Sequence, residues 1–370
     1  MKVAIRCDAS NAIGTGHVMR CATLADQLTT HSAEVTFICR NHPGHLNDYI
    51  KELGYAICEL PSPDSDAANF GGTEYARWLA VPDMIDASES LDALRSLPGG
   101  IDWLIVDHYG LDARWEQEMR ATVKAVMVID DLANRCHNCD LLLDQSYVED
   151  YEHRYRSLVP DSCRVYLGPQ YALLRPEFLQ ARHKLRRRGG HVERILVFLG
   201  GVDPSNQTRK AIDAIIALER DDIQLDVVIG SRNPHKDEIR KVCSRHSQFV
   251  VHENAVQMAE LMSQADLAVG AGGTTTWERC FLGLPTITIL IADNQRDMIE
   301  ALAERGATIN AGWYSDLSVA ALNAQLVELL RDQGSLTKMQ TASLEIMGER
   351  DTGVCHPLVN AMTEIVHATA

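Results

Sequence analysis

The chain has 370 residues, room for two or more domains at about 150 residues each, and its 46% hydrophobic and 23% charged content is that of a globular protein rather than a disordered one. Asp and Glu outnumber Lys and Arg by 51 to 35, a net charge of −16. That excludes non-specific nucleic-acid binding, so any phosphate must be held by loop amides, helix N-termini or single basic side chains.

In chain order, the apolar run 3–7 leads through Asp8 into the polar loop SNAIGTGH, and from Gly16 onward Val18, Cys21, Leu24, Ala25 and Leu28 recur at helical steps. Further strands are expected at 34–39, 55–60, 103–106, 125–129 and 141–143, with helical patterns such as 111–121 between several of them. Strands apolar on both faces, alternating with helices, predict a parallel sheet covered by helices. The basic stretch 184–188, followed by Gly189 and Gly190, reads as a solvated helix end before a linker, and so as a domain boundary.

The alternation then restarts. Strands are expected at 194–199, 225–229, 249–251, 267–269 and 286–291, and helices at 207–218, 238–243 and 256–262, with another running from the GAGGTTT loop to Phe281. From Leu317 onward the pattern is helical. The expected fold class is α/β, two doubly wound Rossmann-like domains facing a cleft: residues 1–185, residues 191–345, and a helical tail over 346–370. No run approaches the ~20 apolar residues that span a bilayer, and MKVAIRCDAS lacks the apolar core of a signal peptide, so a cytoplasmic protein without membrane contact is expected. The ten cysteines are scattered singly and suit buried free thiols.

Gly14 and Gly16 stand between a strand and a helix, but a dinucleotide fingerprint needs a third glycine where this chain has Met19 and an acidic ribose partner where it has Arg40. Only an NADP site tolerates that arginine, and no cofactor is expected. His17 falls in the first helical turn, where the helix dipole disfavours imidazolium. It is either a general base or a capping or packing residue. Asp107 and Tyr109, in VDHYGLDARWE, leave a parallel sheet on the same edge. Asp107 either orients an imidazole or caps the next turn, and Tyr109 either positions water or sugar or packs at the domain face.

In the second half, the loop carrying Gly272, Gly273, Thr274 and Thr275 supplies amides and hydroxyls suited to a diphosphate. Glu278, one turn on, either accepts ribose hydroxyls or is a favourable charge at a helix start. LGGVDPSN brings Gly201 to the opposite wall, and RCHNCD holds half a zinc site with no second ligand pair, so no metal is expected.

The set RCDASNAIGTGHVMRC, VDHYGLDARWE, YALLRPEF, LGGVDPSN and GGTTTWERCFLGLPTI, spanning residues 4 to about 296, resembles the UDP-sugar hydrolases of pseudaminic acid biosynthesis, which are similar in fold to the GT-B glycosyltransferases. The resemblance implies metal-independent hydrolysis of UDP-2,4-diacetamido-2,4,6-trideoxy-β-L-altropyranose, water attacking the anomeric carbon with inversion. It implies that His17 activates the water, that Tyr109 lies beside the reacting sugar, and that Glu278 binds ribose. Asn294 would reach the substrate, and Arg175 would be a substrate or phosphate contact. The competing expectations are a GT-B glycosyltransferase, a UDP-sugar 2-epimerase and a non-catalytic nucleotide-sugar module. Residues after about 310 fall outside the resemblance, and they are expected either to buttress the first domain or to offer a surface to another subunit or pathway enzyme.

Overall fold

The computed structural model describes residues 1–63, 75–188, 190–253, 257–349 and 355–369, divided into two compact units. Unit 1 comprises Met1–Ser146, Asp150–Leu173 and Gly353–Ala370; unit 2 comprises Tyr147–Glu149 and Leu174–Thr352.

Unit 1 is built on strands β1 (Lys2–Cys7), β2 (Glu34–Arg40), β3 (Ala56–Leu60), β4 (Ile101–Asp107), β5 (Val123–Ile129), β6 (Leu141–Asp144) and β7 (Arg164–Leu167). They form one sheet in the order β3-β2-β1-β4-β5-β6-β7, parallel throughout. Helices α1 (Gly16–Thr30), α2 (Asn47–Glu52), α3 (Asp83–Ser96) and α4 (Ala113–Met119) connect the strands. The two-residue alternation of β1 feeds two cores. Val3, Ile5 and Cys7 pack with Val18, Cys21, Leu24 and Leu28 of α1, whereas Ala4 packs with Leu104, Trp115 and Met119 on the other face. A strand covered on both sides is mostly apolar, and Arg6, the polar side chain in its interior, is buried only because Asp8 and Asp86 pair with it at 2.7 and 2.6 Å.

Unit 2 repeats the plan. Its elements are α5 (Pro176–Arg182), β8 (Arg194–Phe198), α6 (Gln207–Ile216), β9 (Gln224–Ile229), α7 (Lys236–Cys243), β10 (Phe249–Glu253), α8 (Met258–Gln264), β11 (Leu267–Ala271), α9 (Thr275–Phe281), β12 (Thr286–Leu290), α10 (Arg296–Glu304), β13 (Ile309–Trp313), α11 (Val319–Arg331) and α12 (Gln333–Met347). The sheet order is β10-β9-β8-β11-β12-β13, again parallel. The edge strands β7 and β13 were not expected from the sequence. β7 leaves Arg164 and Val165 exposed, and β13 contains Gly312 at φ +92° beside a register shift, so neither shows a continuous apolar run.

The boundary expected in the basic stretch falls instead at Leu173/Leu174, because that stretch is part of unit 2. Arg188 is buried and donates to the carbonyls of Met262 and Ala265 at the end of α8 and of Leu282 and Gly283 at the end of α9, at 2.6–2.9 Å. Carbonyls at helix C-termini lack intrahelical partners and carry partial negative charge, so a guanidinium suits them. Lys184, Arg186 and Arg187 are exposed, as a solvated stretch would be, but Arg188 at its end is a staple within unit 2. The expected tail also divides: α12 ends within unit 2, whereas α13 (Pro357–Thr369) belongs to unit 1. There Leu358, Val359, Ala361 and Met362 join the core of β1 and α1, and Trp103 Nε1 donates to the Met362 carbonyl at 3.1 Å.

Arg40, which would have suited an NADP phosphate, is buried and paired with Asp86 at 2.7 Å and Glu89 at 2.6 Å. No helix among the described residues is long and apolar enough to cross a membrane. Because α13 fills the core of unit 1 from far along the chain, Leu358→Ala is expected to lower unfolding free energy by about 2–5 kcal/mol, measured by urea denaturation.

Candidate functional site

In unit 1 the strand order reverses between β1 and β4, the point where connections diverge and leave a crevice at the carboxyl edge of a doubly wound sheet. Both sequence-predicted groups sit there. Cys7 at the end of β1 pairs in register with Asp107 at the end of β4, and the loop after β1 delivers His17 in the first turn of α1. Gly14 makes the turn possible: its φ is +80°, and its amide donates back to the Ser10 carbonyl at 2.9 Å. Gly16 opens α1.

His17 Nδ1 meets Asp107 Oδ1 at 2.5 Å. An ionised carboxylate only accepts, so Nδ1 carries the proton and Nε2 is left as the basic nitrogen, with no protein partner among the described residues. Asp107 is fully buried and takes two further bonds from Arg20, Nε to Oδ2 at 2.6 Å and Nη2 to Oδ1 at 2.7 Å. Burial opposes its charge, but Arg20 and His17 outweigh burial and hold the carboxyl well below the usual range. Arg20 lies three residues after His17, on the same helix face. Sequence reasoning missed it, although that spacing was visible.

Arg20 Nη1 also reaches Asp131 Oδ2 at 2.8 Å, and Asp131 Oδ1 accepts the Tyr109 hydroxyl proton. Burial, reinforced by Asp131, pushes the Tyr109 phenol well above its ordinary value. The hydroxyl therefore stays protonated and gives that proton to Asp131, leaving its oxygen lone pairs as acceptors. The Tyr109 ring stands edge-on to His17 at 4.6 Å between centroids and stacks on Trp78 at 5.4 Å, with Tyr75 edge-on at 5.2 Å. Gly110 permits that packing, since a Cβ there would lie 2.7 Å from the Tyr75 carbonyl. Asp131 and Trp78 were also missed. Asp131 follows β5 and was legible as a strand-end carboxylate, whereas nothing in the sequence around Trp78 points to the site.

In unit 2 the corresponding reversal lies between β8 and β11, and GAGGTTT begins in the last two residues of β11 and runs on into α9. The amides of Gly273 and Thr274 have no acceptor among the described residues, and a Cβ on Gly273 would meet nothing within 4 Å, so the loop opens to free space. Thr275 begins α9. Gly201, after β8, packs its backbone so closely on the end of β9 that a Cβ on Gly230 would lie 2.0 Å from its carbonyl oxygen. Asp203, in the same segment, caps α6 through the amides of Gln207 and Thr208 at 2.9 and 2.8 Å.

Glu278 Oε1 accepts from Arg175 Nε at 3.2 Å and Nη2 at 3.0 Å, while Oε2 is buried without a partner. Burial, only partly offset by Arg175, raises its carboxyl pKa. Arg175 therefore orients Glu278 and is also bound by Glu177 at 2.9 Å. Asn294 is exposed in a short 3-10 turn after β12. Its neighbour Gln295, not singled out from the sequence, comes within 3.1 Å of where a Gly272 Cβ would lie, which puts the turn beside the glycine loop.

This architecture is that of the GT-B glycosyltransferases. Acinetobacter baumannii MurG superposes with a TM-score of 0.64 at 16% identity, over 98% of this chain and 99% of that one. Residues 194–352 match the glycosyltransferase family 28 C-terminal domain. The chain is 28% identical to the Campylobacter jejuni UDP-2,4-diacetamido-2,4,6-trideoxy-β-L-altropyranose hydrolase over 83% of its own length and 97% of that protein. It is 26% identical to protein MJ1062 of Methanocaldococcus jannaschii over 80% of its length, spanning 57% of that longer protein.

RCHNCD, the half zinc site, disperses its residues. Cys136 is exposed, Cys139 Sγ lies 3.6 Å from Cys163 Sγ, and His137 Nδ1 bonds Glu116 at 2.7 Å with Asp130 at 3.8 Å from Nε2. Burial works against the His137 charge, but Asp130 and Glu116 outweigh it and raise its pKa to about 9. A folded pKa above the unfolded one of about 6.5 gives stability that is complete below pH 6.5 and lost as pH rises through 9. The urea midpoint is therefore expected to fall between pH 6.5 and 9, and His137→Gln to flatten that fall.

Proposed function

We propose that the protein is a UDP-sugar hydrolase, with UDP-2,4-diacetamido-2,4,6-trideoxy-β-L-altropyranose as substrate. The observation that carries this reading is the His17–Asp107 pair at 2.5 Å, which fixes the tautomer and leaves Nε2 to take a proton. The hydrolase relative, matched over nearly its whole length, supports the substrate.

Unit 2 binds the nucleotide: the Gly272 to Thr275 loop donates to the diphosphate, and Glu278, turned by Arg175, accepts the ribose hydroxyls through Oε2. Asn294 reaches toward the sugar from the turn beside that loop. Unit 1 supplies the base. Nε2 of His17 removes a proton from water as the water oxygen bonds to the anomeric carbon on the face opposite the diphosphate. The C1–O bond breaks, its electron pair leaving with UDP, and the configuration inverts. Asp107 stabilises the imidazolium as it forms, in the way a triad carboxylate does. The Tyr109 oxygen, its proton committed to Asp131, accepts from the water and aims it. A nucleoside diphosphate stabilised by amide donors leaves readily, so a water-activating base is the principal demand on unit 1. The product leaves as the free sugar, and the proton passes to solvent.

The transferase reading shares the fold but requires an acceptor alcohol in place of water. Reaction in oxygen-18 water separates the two: the label is expected in the sugar and not in UDP, and label in UDP means attack at phosphorus. His17→Ala is expected to bind UDP within about threefold of wild type while losing ~10² to 10⁴ in kcat. Undiminished turnover there removes the base assignment. Asp131→Asn and Tyr109→Phe are each expected to lower kcat about tenfold or more. Because they share one hydrogen bond, while Asp131 is also held by Arg20, the double variant should lose less than the product of the two single losses.

A further inference from the structure

Unit 2 buries two arginines that have no carboxylate within ion-pair distance among the described residues, Arg188 and Arg279. They differ in one respect. The Nε, Nη1 and Nη2 atoms of Arg188 all donate to carbonyls at the ends of α8 and α9. Arg279 is 2% exposed, and its Nε has no partner. Its remaining donors all go to the glycine-rich segment: Nη2 to the Ala271 carbonyl at 2.7 Å, Nη2 to Thr276 Oγ1 at 3.1 Å and Nη1 to Thr275 Oγ1 at 3.2 Å.

We propose that Arg279 is a positioning residue of the diphosphate subsite, a buried cation beneath the glycine-rich loop that orients the half-buried Thr275 hydroxyl, backed by the buried Thr276 hydroxyl, as a donor to the bound anion. The inference rests on the nucleotide-binding reading of that loop. A guanidinium only donates, so each threonine oxygen that accepts from it keeps its own proton for another acceptor. Neither hydroxyl donates to any acceptor among the described residues. An unpaired buried charge is strongly destabilising unless something neutralises it, and an anion on the loop supplies the missing negative charge. Gly270 fits the same purpose. A Cβ there would lie 2.5 Å from Arg279 Nη1, so only glycine lets the guanidinium lie across the end of β11. Burial lowers the Arg279 pKa to about 10, which still leaves it charged at neutral pH. Lysine substitutes only in part, because it keeps the charge but lacks the fork that holds both threonines at once.

The test is calorimetric titration of the full chain with UDP and with uridine, with folding checked by circular dichroism. Arg279→Met is expected to weaken UDP at least tenfold and uridine less than twofold. Arg279→Lys should fall between the two for UDP. Thr275→Val, at a half-buried position, is expected to weaken UDP about three- to tenfold. It carries the test with Arg279→Lys if Arg279→Met does not fold. UDP affinity within twofold of wild type in the folded variants overturns the inference, as does an equal loss for UDP and uridine, which makes Arg279 a scaffold residue only. Failure of the wild-type chain to bind UDP is a different result: it removes the nucleotide reading of the loop and this inference with it.

Discussion

One carboxylate organises the chemistry of unit 1. Asp107 is wholly buried at the end of a central strand, where an isolated negative charge would be prohibitively unfavourable. It is stable because it accepts from His17, twice from Arg20, and from the Cys21 thiol at 3.3 Å. All of these donors come from the first turns of α1, so β4 and α1 are locked together by the bonds that prepare the imidazole. The carboxylate leaves the ring one tautomer and one orientation, and Arg20 keeps the carboxylate from taking the proton itself. On the proposed reading, the base owes its competence to the sheet beneath it.

The two units apply one rule with different residues. In each, the polar groups emerge where the strand order reverses, β1/β4 in unit 1 and β8/β11 in unit 2. There the loops leave in opposite directions, and backbone and side chains are free to face a ligand. Unit 1 fills that position with titratable groups and aromatic rings, and unit 2 with glycines, hydroxyls and free amides. A chain of net charge −16 offers no general attraction to a nucleoside diphosphate. Any attraction that unit 2 offers an anion is therefore local, set by loop amides and by arginines whose charge is sheltered from solvent.

Those arginines also show that a basic residue has no fixed meaning outside its surroundings. Arg188 joins two helix ends, Arg40 closes a buried ion network with Asp86, Arg175 turns Glu278, and Arg20 holds Asp107. In the sequence all are simply basic. Arg20 finds Asp107 87 residues away, Arg188 the Leu282 carbonyl 94 away and Arg175 Glu278 103 away, and only folding reveals which is which.

The sequence by itself determined the doubly wound parallel plan, because strands buried on both faces and the helices between them leave a local apolar signature. It also singled out His17, Asp107, Tyr109 and the glycine-rich loop, because those residues stand where strands end. What it did not contain was decided by tertiary structure. The edge strands β7 and β13 lack continuous burial. The return of α13 to unit 1 depends on packing into the core that holds Trp103. The roles of Arg20, Asp131 and Arg279 depend on hydrogen bonds whose partners are either distant in the chain or brought together by the turn of a helix. Local pattern fixes which face of a segment is buried, but the partner of a polar group is a property of three-dimensional distance.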